Sequence, residues 1–264
     1  MTEAADRNAI AEESVFEQPL TERLRIFLRL DFLYSQAVHH NETGSATGTR
    51  AAVASLLDIV AVTQRGDIRA DVLKELERNL NFLNELQHRP GVDAARLRAV
   101  IANLMRLRTE LGTASGNWLQ SLRESEFLAA IKHRTAIPGG TCEFDLPDYS
   151  YWLNEPDEMR MATFGNWIAQ LRPLCDAIAE LLWLMRQNGR SRSEVARGGV
   201  FNVNFERDTP FQLLRIKLPA GSGLYPEISG SHYRCSMRLM EWRGVEQRPK
   251  QTEADVPFTL VCCG

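Results

Sequence analysis

The amino-acid sequence predicts an α+β fold, in which an amino-terminal helical bundle domain is followed by a carboxyl-terminal antiparallel β-rich domain. Leucines at three- and four-residue steps between residues 68 and 111 have the spacing of amphipathic helices. Short apolar runs after residue 200 are separated by glycine, proline and polar turns, which is typical of strands. Hydrophobic residues make up 44% of the 264-residue chain, enough to bury one large core or two modest ones.

The start of the chain predicts an acidic disordered tail over residues 1–14. It has neither the basic n-region nor the apolar run of a signal peptide or membrane span. The chain has five cysteines, an odd number at irregular spacings, which does not indicate a disulfide framework. We therefore expect a cytoplasmic protein with reduced thiols.

The charges of the chain are nearly balanced once this start is set aside. The first 20 residues hold five of the 34 acidic side chains and one of the 31 basic ones, which leaves 29 acidic and 30 basic. This balance argues against binding nucleic acid or membranes through net charge, but it allows a local basic patch on one face.

The first helix is predicted to begin after Thr21, a suitable N-cap, and to run through Leu33. At 100° per residue its apolar side chains lie almost all the way round, and only Glu22, Arg25 and Arg29 form a narrow polar stripe. Such a helix is expected to be buried on most sides, inside the bundle or at a subunit interface.

Further helices follow, and with the first they make a helical domain over residues 15–140 that is joined by helices within 155–188. Asp93 is the expected N-cap of a helix that follows a short turn, so this helix and the preceding one should pack antiparallel. Pro173 is expected to kink or split the last helix, because proline lacks a backbone donor. The predicted segments are residues 50–64, 68–87, 93–111, 118–131 and 156–185.

The β-rich domain is predicted over residues 141–153 and 198–264. Residues 188–199, rich in glycine, serine and arginine, are interpreted as a linker. Turns are predicted at Gly221, Gly223, Pro226 and Gly230 and in the polar residues 245–255. The predicted strands are residues 141–146, 200–205, 211–218, 233–242 and 256–262.

Sequence motifs for nucleotide, hydride or acyl chemistry are absent: there is no G-x-x-x-x-G-K-[ST], no G-x-G-x-x-G after a strand and no G-x-S-x-G. The adjacent His39 and His40 have no carboxylate or cysteine at ligand spacing, so capping is favoured over metal binding. We expect no cofactor and no enzymatic activity.

The cysteines leave one alternative open. The vicinal Cys262 and Cys263 should face opposite sides of a strand, which favours packing over redox or metal chemistry. A cysteine-dependent enzyme would instead need a spatial pair of nucleophile and base. The candidates for that pair are Cys142 or Cys235 with His133 or His232.

Basic side chains on the helices are the remaining candidates for a site: Arg25, Arg29, Arg123, Lys132 and Arg134. Such a cluster is usually a solvated face. An arginine fork also suits carboxylates, so the cluster could clamp an acidic peptide. A nucleic-acid-binding regulator that uses basic helices and the arginine-rich residues 186–197 is the alternative.

The chain resembles the ZapD family of FtsZ-associated cell division proteins through eight short segments that occur in order along nearly its whole length. These are FEQPL at 16–20, LRLDFL at 28–33, LKEL at 73–76, PGVD at 90–93, IPGG at 137–140, FDLP at 144–147, LYPEISG at 224–230 and CC at 262–263.

The resemblance implies a cytoplasmic homodimer at the midcell division site that binds the carboxyl-terminal tail of FtsZ in basic pockets near the dimer interface. A two-fold dimer has two identical sites, so it could bridge tails of two protofilaments and bundle them. The residues it implies for partner binding are Arg29 with Arg25, then Arg123, Lys132 and Arg134. No membrane or nucleic acid is implied.

Overall fold

A computed structural model of the chain describes residues 13–64, 66–87, 89–113, 118–206, 211–231 and 233–264, and these residues form two units. Residues 26–182 make up the helical unit, and residues 13–25 together with 183–264 make up the β unit. The prediction of an α+β fold with segregated helices and strands is confirmed. The predicted acidic tail lies outside the described residues except for Glu13 and Ser14, which begin a strand instead.

The helices account for the helical unit, and the first and last of them also contribute residues to the β unit. Among the described residues they are α1 (Glu22–Glu42), α2 (Ala46–Thr63), α3 (Ile68–Leu86), α4 (Ala94–Thr113), α5 (Gln120–Arg123), α6 (Glu126–Thr135), α7 (Pro147–Leu153) and α8 (Asp157–Gln187).

The hairpin of α3 and α4 is antiparallel, as predicted. Arg69 at the start of α3 donates from Nε to the carbonyl oxygen of Leu111 near the end of α4, at 3.0 Å. The expected cap is also present, since Asp93 Oδ1 accepts from the backbone N–H groups of Ala95 and Arg96 at 3.0 and 3.1 Å. These two hydrogen bonds hold the pKa of Asp93 below its usual value.

Helices α2 and α8 supply much of the core of the helical unit. Ten of the eighteen residues of α2 are buried, so although its length and hydropathy would suffice to cross a membrane, it packs as a core helix. Helix α8 continues through Pro173, so of the two predicted outcomes, a kink or a split, the split is wrong. Buried side chains on both sides of it, including Leu171 and Leu174, offset the lost backbone hydrogen bond.

The strand predicted over residues 141–146 is wrong, because this segment forms turns that lead into α7 within the helical unit. The N–H groups of Cys142 and Leu146 bond to the carbonyl oxygens of Gly139 and Cys142, both at 3.0 Å. Because these donors are used locally, they cannot pair with a neighbouring strand. Pro147 is the first residue of α7, where the missing N–H does no harm.

Aromatic side chains of α6, α7 and α8 pack together beside this segment. The Phe127 ring contacts Trp152 edge-on, with centroids 5.7 Å apart, and Tyr149 stacks on the same indole at 6.0 Å. The guanidinium of Arg50 lies 5.0 Å from the centroid of the Tyr149 ring and donates to the carbonyl of Thr141 at 3.0 Å. Burial raises the pKa of Tyr149 to about 12, so this hydroxyl stays neutral.

The β unit contains two antiparallel sheets. One has the order β1-β4-β8-β2, and the other has the order β3-β6-β5 with β7 paired to β6. The strands are β1 (Glu13–Pro19), β2 (Arg190–Ala196), β3 (Val200–Asn204), β4 (Leu213–Pro219), β5 (Leu224–Gly230), β6 (Arg234–Glu241), β7 (Lys250–Gln251) and β8 (Val256–Cys263).

One apolar core is shared by the two sheets. Ile216 of β4 and Leu260 of β8 are fully buried in it together with Met237 and Leu239 of β6. Alternation is clear in β4, where Ile216 is buried between the half-buried Arg215 and Lys217, whereas the last four residues of β8 are all buried. Strands β3, β4, β6 and β8 correspond to predicted strands, and their prediction is confirmed.

Three strands at sheet edges were not predicted. Strand β1 precedes the first helix, where no strand was predicted, β2 occupies the expected linker, and β5 lies where turns were expected. Each is an edge strand. Edge strands commonly carry charged residues or proline, which interrupt the alternation of apolar and polar residues by which a strand is recognised in a sequence. Arg190 and Arg192 have this role in β2, and Pro226 has it in β5.

A carboxylate on β1 ties this strand to the end of α8. Glu17 accepts hydrogen bonds from Nε and Nη2 of Arg186 at 2.9 and 2.8 Å, and Nε of Arg215 lies 3.0 Å from its Oε1. The three side chains are only 20–28% exposed, so water screens these ion pairs weakly. The pairs therefore fix β1 against both β4 and α8.

Replacing Glu17 with glutamine should lower the free energy of unfolding by about 1–3 kcal/mol, because two partly buried guanidinium groups lose their carboxylate. Urea unfolding followed by circular dichroism measures the change. Glu13→Gln is the matched control, since Glu13 lies on the same strand but pairs with Lys217 while 45% exposed, and it should cost less than about 1 kcal/mol. Equal losses in the two variants would show that the carboxylate of Glu17 does not anchor β1.

Candidate functional site

The exposed side of α1 carries the first two predicted site residues. Arg29 is exposed and makes no hydrogen bond or ion pair within the described part of the chain, whereas Arg25, one turn earlier, pairs with Glu22 at 3.2 Å. Phe32 is 61% exposed, and His39 is exposed two turns further on. The helical spacing aligns Arg29, Phe32 and His39, which we call the α1 stripe.

Helix α1 is thus less buried than the sequence suggested. Leu24, Phe27 and Leu30 face the interior, but the α1 stripe presents a cation and an aromatic ring to solvent. A guanidinium beside an exposed aromatic ring suits a peptide that carries both carboxylates and apolar side chains.

The other three predicted residues lie around α6 but not at one point. Arg123 ends α5 just before the N-cap of α6, whereas Lys132 and Arg134 are in the last turn of α6. A ten-residue helix is about 15 Å long, so Arg123 is separated from the other two by roughly that distance. Arg134 pairs with Asp145 at 3.3 Å, and Lys132 is exposed without an ion pair among the described residues.

Arg123 lines a cavity of about 450 Å³ in the helical unit together with Arg69, which the sequence did not single out. We call this the Arg69–Arg123 cavity. The other lining residues are Thr63, Gly66, Asp67, Ile68, Trp118 and Leu174.

Both guanidinium groups of the cavity cap the carboxyl ends of helices. Arg123 donates from Nη2 to the carbonyl of Thr63, the last residue of α2, at 3.3 Å. Arg69 donates to the carbonyls of Leu111 and Gly112 in the last turn of α4, at 3.0 and 2.8 Å. Cations are favoured at these ends by the helix dipole, and the bonds hold both forks in fixed positions.

A second cavity, of about 490 Å³, has the opposite character. Glu143 and Glu155 line it beside Pro147, Tyr151 and Pro156. Because two carboxylates face this cavity, it is unsuited to an acidic tail.

Two of the four arginines in residues 186–197 form close ion pairs with carboxylates, which weakens the nucleic-acid alternative. Arg186 pairs with Glu17, and Arg192 pairs with Glu194 at 2.8 Å. Arg197 lies 3.9 Å from a carboxylate oxygen of Asp255. Phosphate binding needs cations that are free to replace counterions, and here these are Arg190, exposed without an ion pair among the described residues, and Arg197, whose exposed pair is weak.

The four buried thiols do not have the character of nucleophiles. Burial raises the pKa of Cys175 and Cys262, and it raises the pKa of Cys235 and Cys263 to about 11. Cys142 donates from Sγ to Asp145 Oδ2 at 3.4 Å. No group of three or more potential metal ligands occurs in the described ranges, and His232 lies outside them.

The comparisons with known proteins agree on one family. A sequence model of the ZapD family, described as a cell division protein, matches residues 28–238. Cell division protein ZapD of Methylococcus capsulatus is 39% identical, over 94% of this chain and 97% of its own. The proteins of the same name from Chromobacterium violaceum and a Janthinobacterium species are 38% and 36% identical, each over 94% of this chain and 98% of its own.

We expect the four buried thiols to react slowly with a disulfide reagent near neutral pH. A pKa of about 11 in place of 9.0 leaves Cys235 and Cys263 with about a hundredfold less thiolate, so their rates should rise with pH until about 11. Mass spectrometry of quenched samples assigns the rate of each cysteine, with denatured protein as the reference. A native rate within a few-fold of the denatured rate at any of the four would contradict this account.

Proposed function

Because the chain belongs to the ZapD family of cell division proteins, we propose that it binds the carboxyl-terminal tail of FtsZ and bundles FtsZ protofilaments. The protein would act in the cytoplasm at the midcell division site, by binding alone, with no covalent step. The observation that supports this most directly is the α1 stripe, in which Arg29, without an ion pair among the described residues, lies one helical turn from the exposed ring of Phe32.

The charge of the stripe favours an acidic ligand. Arg29 has no carboxylate partner within the described residues, so a carboxylate from another chain could use its guanidinium fork without displacing an internal ion pair. Arg25 already pairs with Glu22, but this i,i+3 pair is exposed and weak, so Arg25 can exchange partners readily. Phe32 would add apolar contact to the same ligand.

Bundling requires at least two sites in one particle, and we propose that the chain forms a homodimer for this reason. A two-fold dimer presents two copies of each site, and filaments present many tails. Simultaneous engagement raises the overall affinity without any new contact, because the second binding event is intramolecular. Weak binding of each single tail is therefore compatible with firm bundling.

Arg29→Glu should greatly reduce the amount of FtsZ that pellets at a centrifugal force that leaves single filaments in solution. The reversed charge repels the carboxylates that the native arginine attracts. Arg89→Glu, at an exposed arginine in the turn before α4, makes the same change in net charge and should not reduce pelleting. If the native protein leaves FtsZ filaments in the supernatant, the proposed function is wrong; if Arg29→Glu pellets them normally, Arg29 is not in the site.

The dimer has its own test. Sedimentation equilibrium should give about twice the 29.9 kDa of one chain at concentrations that bundle filaments. A mass of one chain at those concentrations would refute the dimer. If such a monomer still bundled filaments, one chain would have to contain two different sites for the tail.

A further inference from the structure

We propose that the Arg69–Arg123 cavity is a carboxylate-binding pocket that anchors one acidic residue of the FtsZ tail, an inference that rests on the proposed function. The site is separate from the α1 stripe, because none of its lining residues belongs to α1. Its volume of about 450 Å³ is within the range of ligand pockets in proteins.

The first argument is the unused hydrogen-bonding capacity of the two guanidinium groups. An arginine has five N–H donors. Arg69 uses Nε and Nη2 for two carbonyls, and Arg123 uses Nη2 for one. Neither forms an ion pair with a carboxylate of the described residues, so several donors of each remain available to a ligand.

The second argument is the charge balance of the cavity. Asp67 is the acidic residue that lines it, and its Oδ1 already accepts from the backbone N–H of Ala70 at 3.0 Å as the N-cap of α3. That contact also satisfies a donor of the first turn of α3, so attraction for an anion comes from the two arginines rather than from the helix end. Two cations against one carboxylate leave the cavity with a net positive charge.

The third argument is preorganisation. Each arginine is held in place by the carboxyl end of a helix, Arg123 by α2 and Arg69 by α4. A guanidinium that is already oriented loses little conformational entropy when a carboxylate binds, so more of the interaction energy appears as affinity.

The remaining lining residues favour a peptide side chain over a small ion or a polyanion. Trp118 is half-buried and Leu174 is buried, so together they offer an apolar wall to the methylene groups of a glutamate or to a neighbouring apolar residue. A long polyanion such as nucleic acid needs a row of cations along its backbone, whereas the residues that line this cavity include two arginines. A single carboxylate on a short acidic segment fits both observations.

The test measures binding of a synthetic peptide with the sequence of the FtsZ carboxyl-terminal tail by fluorescence anisotropy. Arg123→Gln should weaken binding about tenfold, Arg69→Gln by a similar factor, and Arg123→Lys by less because the charge is kept. Arg98→Gln, at an exposed arginine of α4 that does not line the cavity, is the matched control and should bind normally. A peptide with its acidic residues replaced by amides should bind the native protein and Arg123→Gln equally weakly.

A second readout does not depend on the arginines, which also cap helices. Titration of the native protein with the tail peptide should change tryptophan fluorescence, and this change should be largely lost in Trp118→Phe. Normal peptide affinity in both Arg→Gln variants, or an unchanged fluorescence response in Trp118→Phe, overturns the pocket while leaving the proposed function in place. Failure of the native protein to bind either the peptide or FtsZ filaments overturns both.

Discussion

Pairing between β1 and β4 is the constraint on which the rest of the structure depends. The two strands are adjacent in one sheet, with Phe16 opposite Ile216, yet the whole helical unit lies between them in the sequence. Closing so long a loop costs conformational entropy. The backbone hydrogen bonds between β1 and β4 must offset this cost, together with the ion pairs of Glu17 with Arg186 and Arg215. The helical unit is therefore an insertion whose two ends are anchored in the β unit.

Arg69 and Arg123 in the helical unit cap helices, and in our proposal they also bind the ligand. The groups that cap α2 and α4 are cations whose positions are set by backbone carbonyls, not by carboxylates. An arginine neutralised by an internal acid, such as Arg186 with Glu17, has little attraction left for a ligand. An arginine that donates to backbone carbonyls keeps its full positive charge, so the fold can orient its guanidinium group without neutralising it.

Local chemistry decided which parts of the fold could be predicted from the sequence. The helices of the α3–α4 hairpin were predictable because their period and the Asp93 cap are local signals. The edge strands and residues 141–146 were not, because strand pairing depends on distant residues. The same limit applies to the site: Arg29 lies in a family segment, but Arg69 and Trp118 meet Arg123 only through tertiary packing.

The interrupted β unit also determines the order in which its parts can come together during synthesis. The ribosome makes β1 first and β4 and β8 only after the complete helical unit, so β1 has no strand partner while α1 to α8 emerge. The helical unit can pack as an independent domain in that interval. The apolar side chain of Phe16 meanwhile lacks its β4 neighbour Ile216, so this short strand remains an unpaired edge, open to pairing with other chains, until β4 has been made.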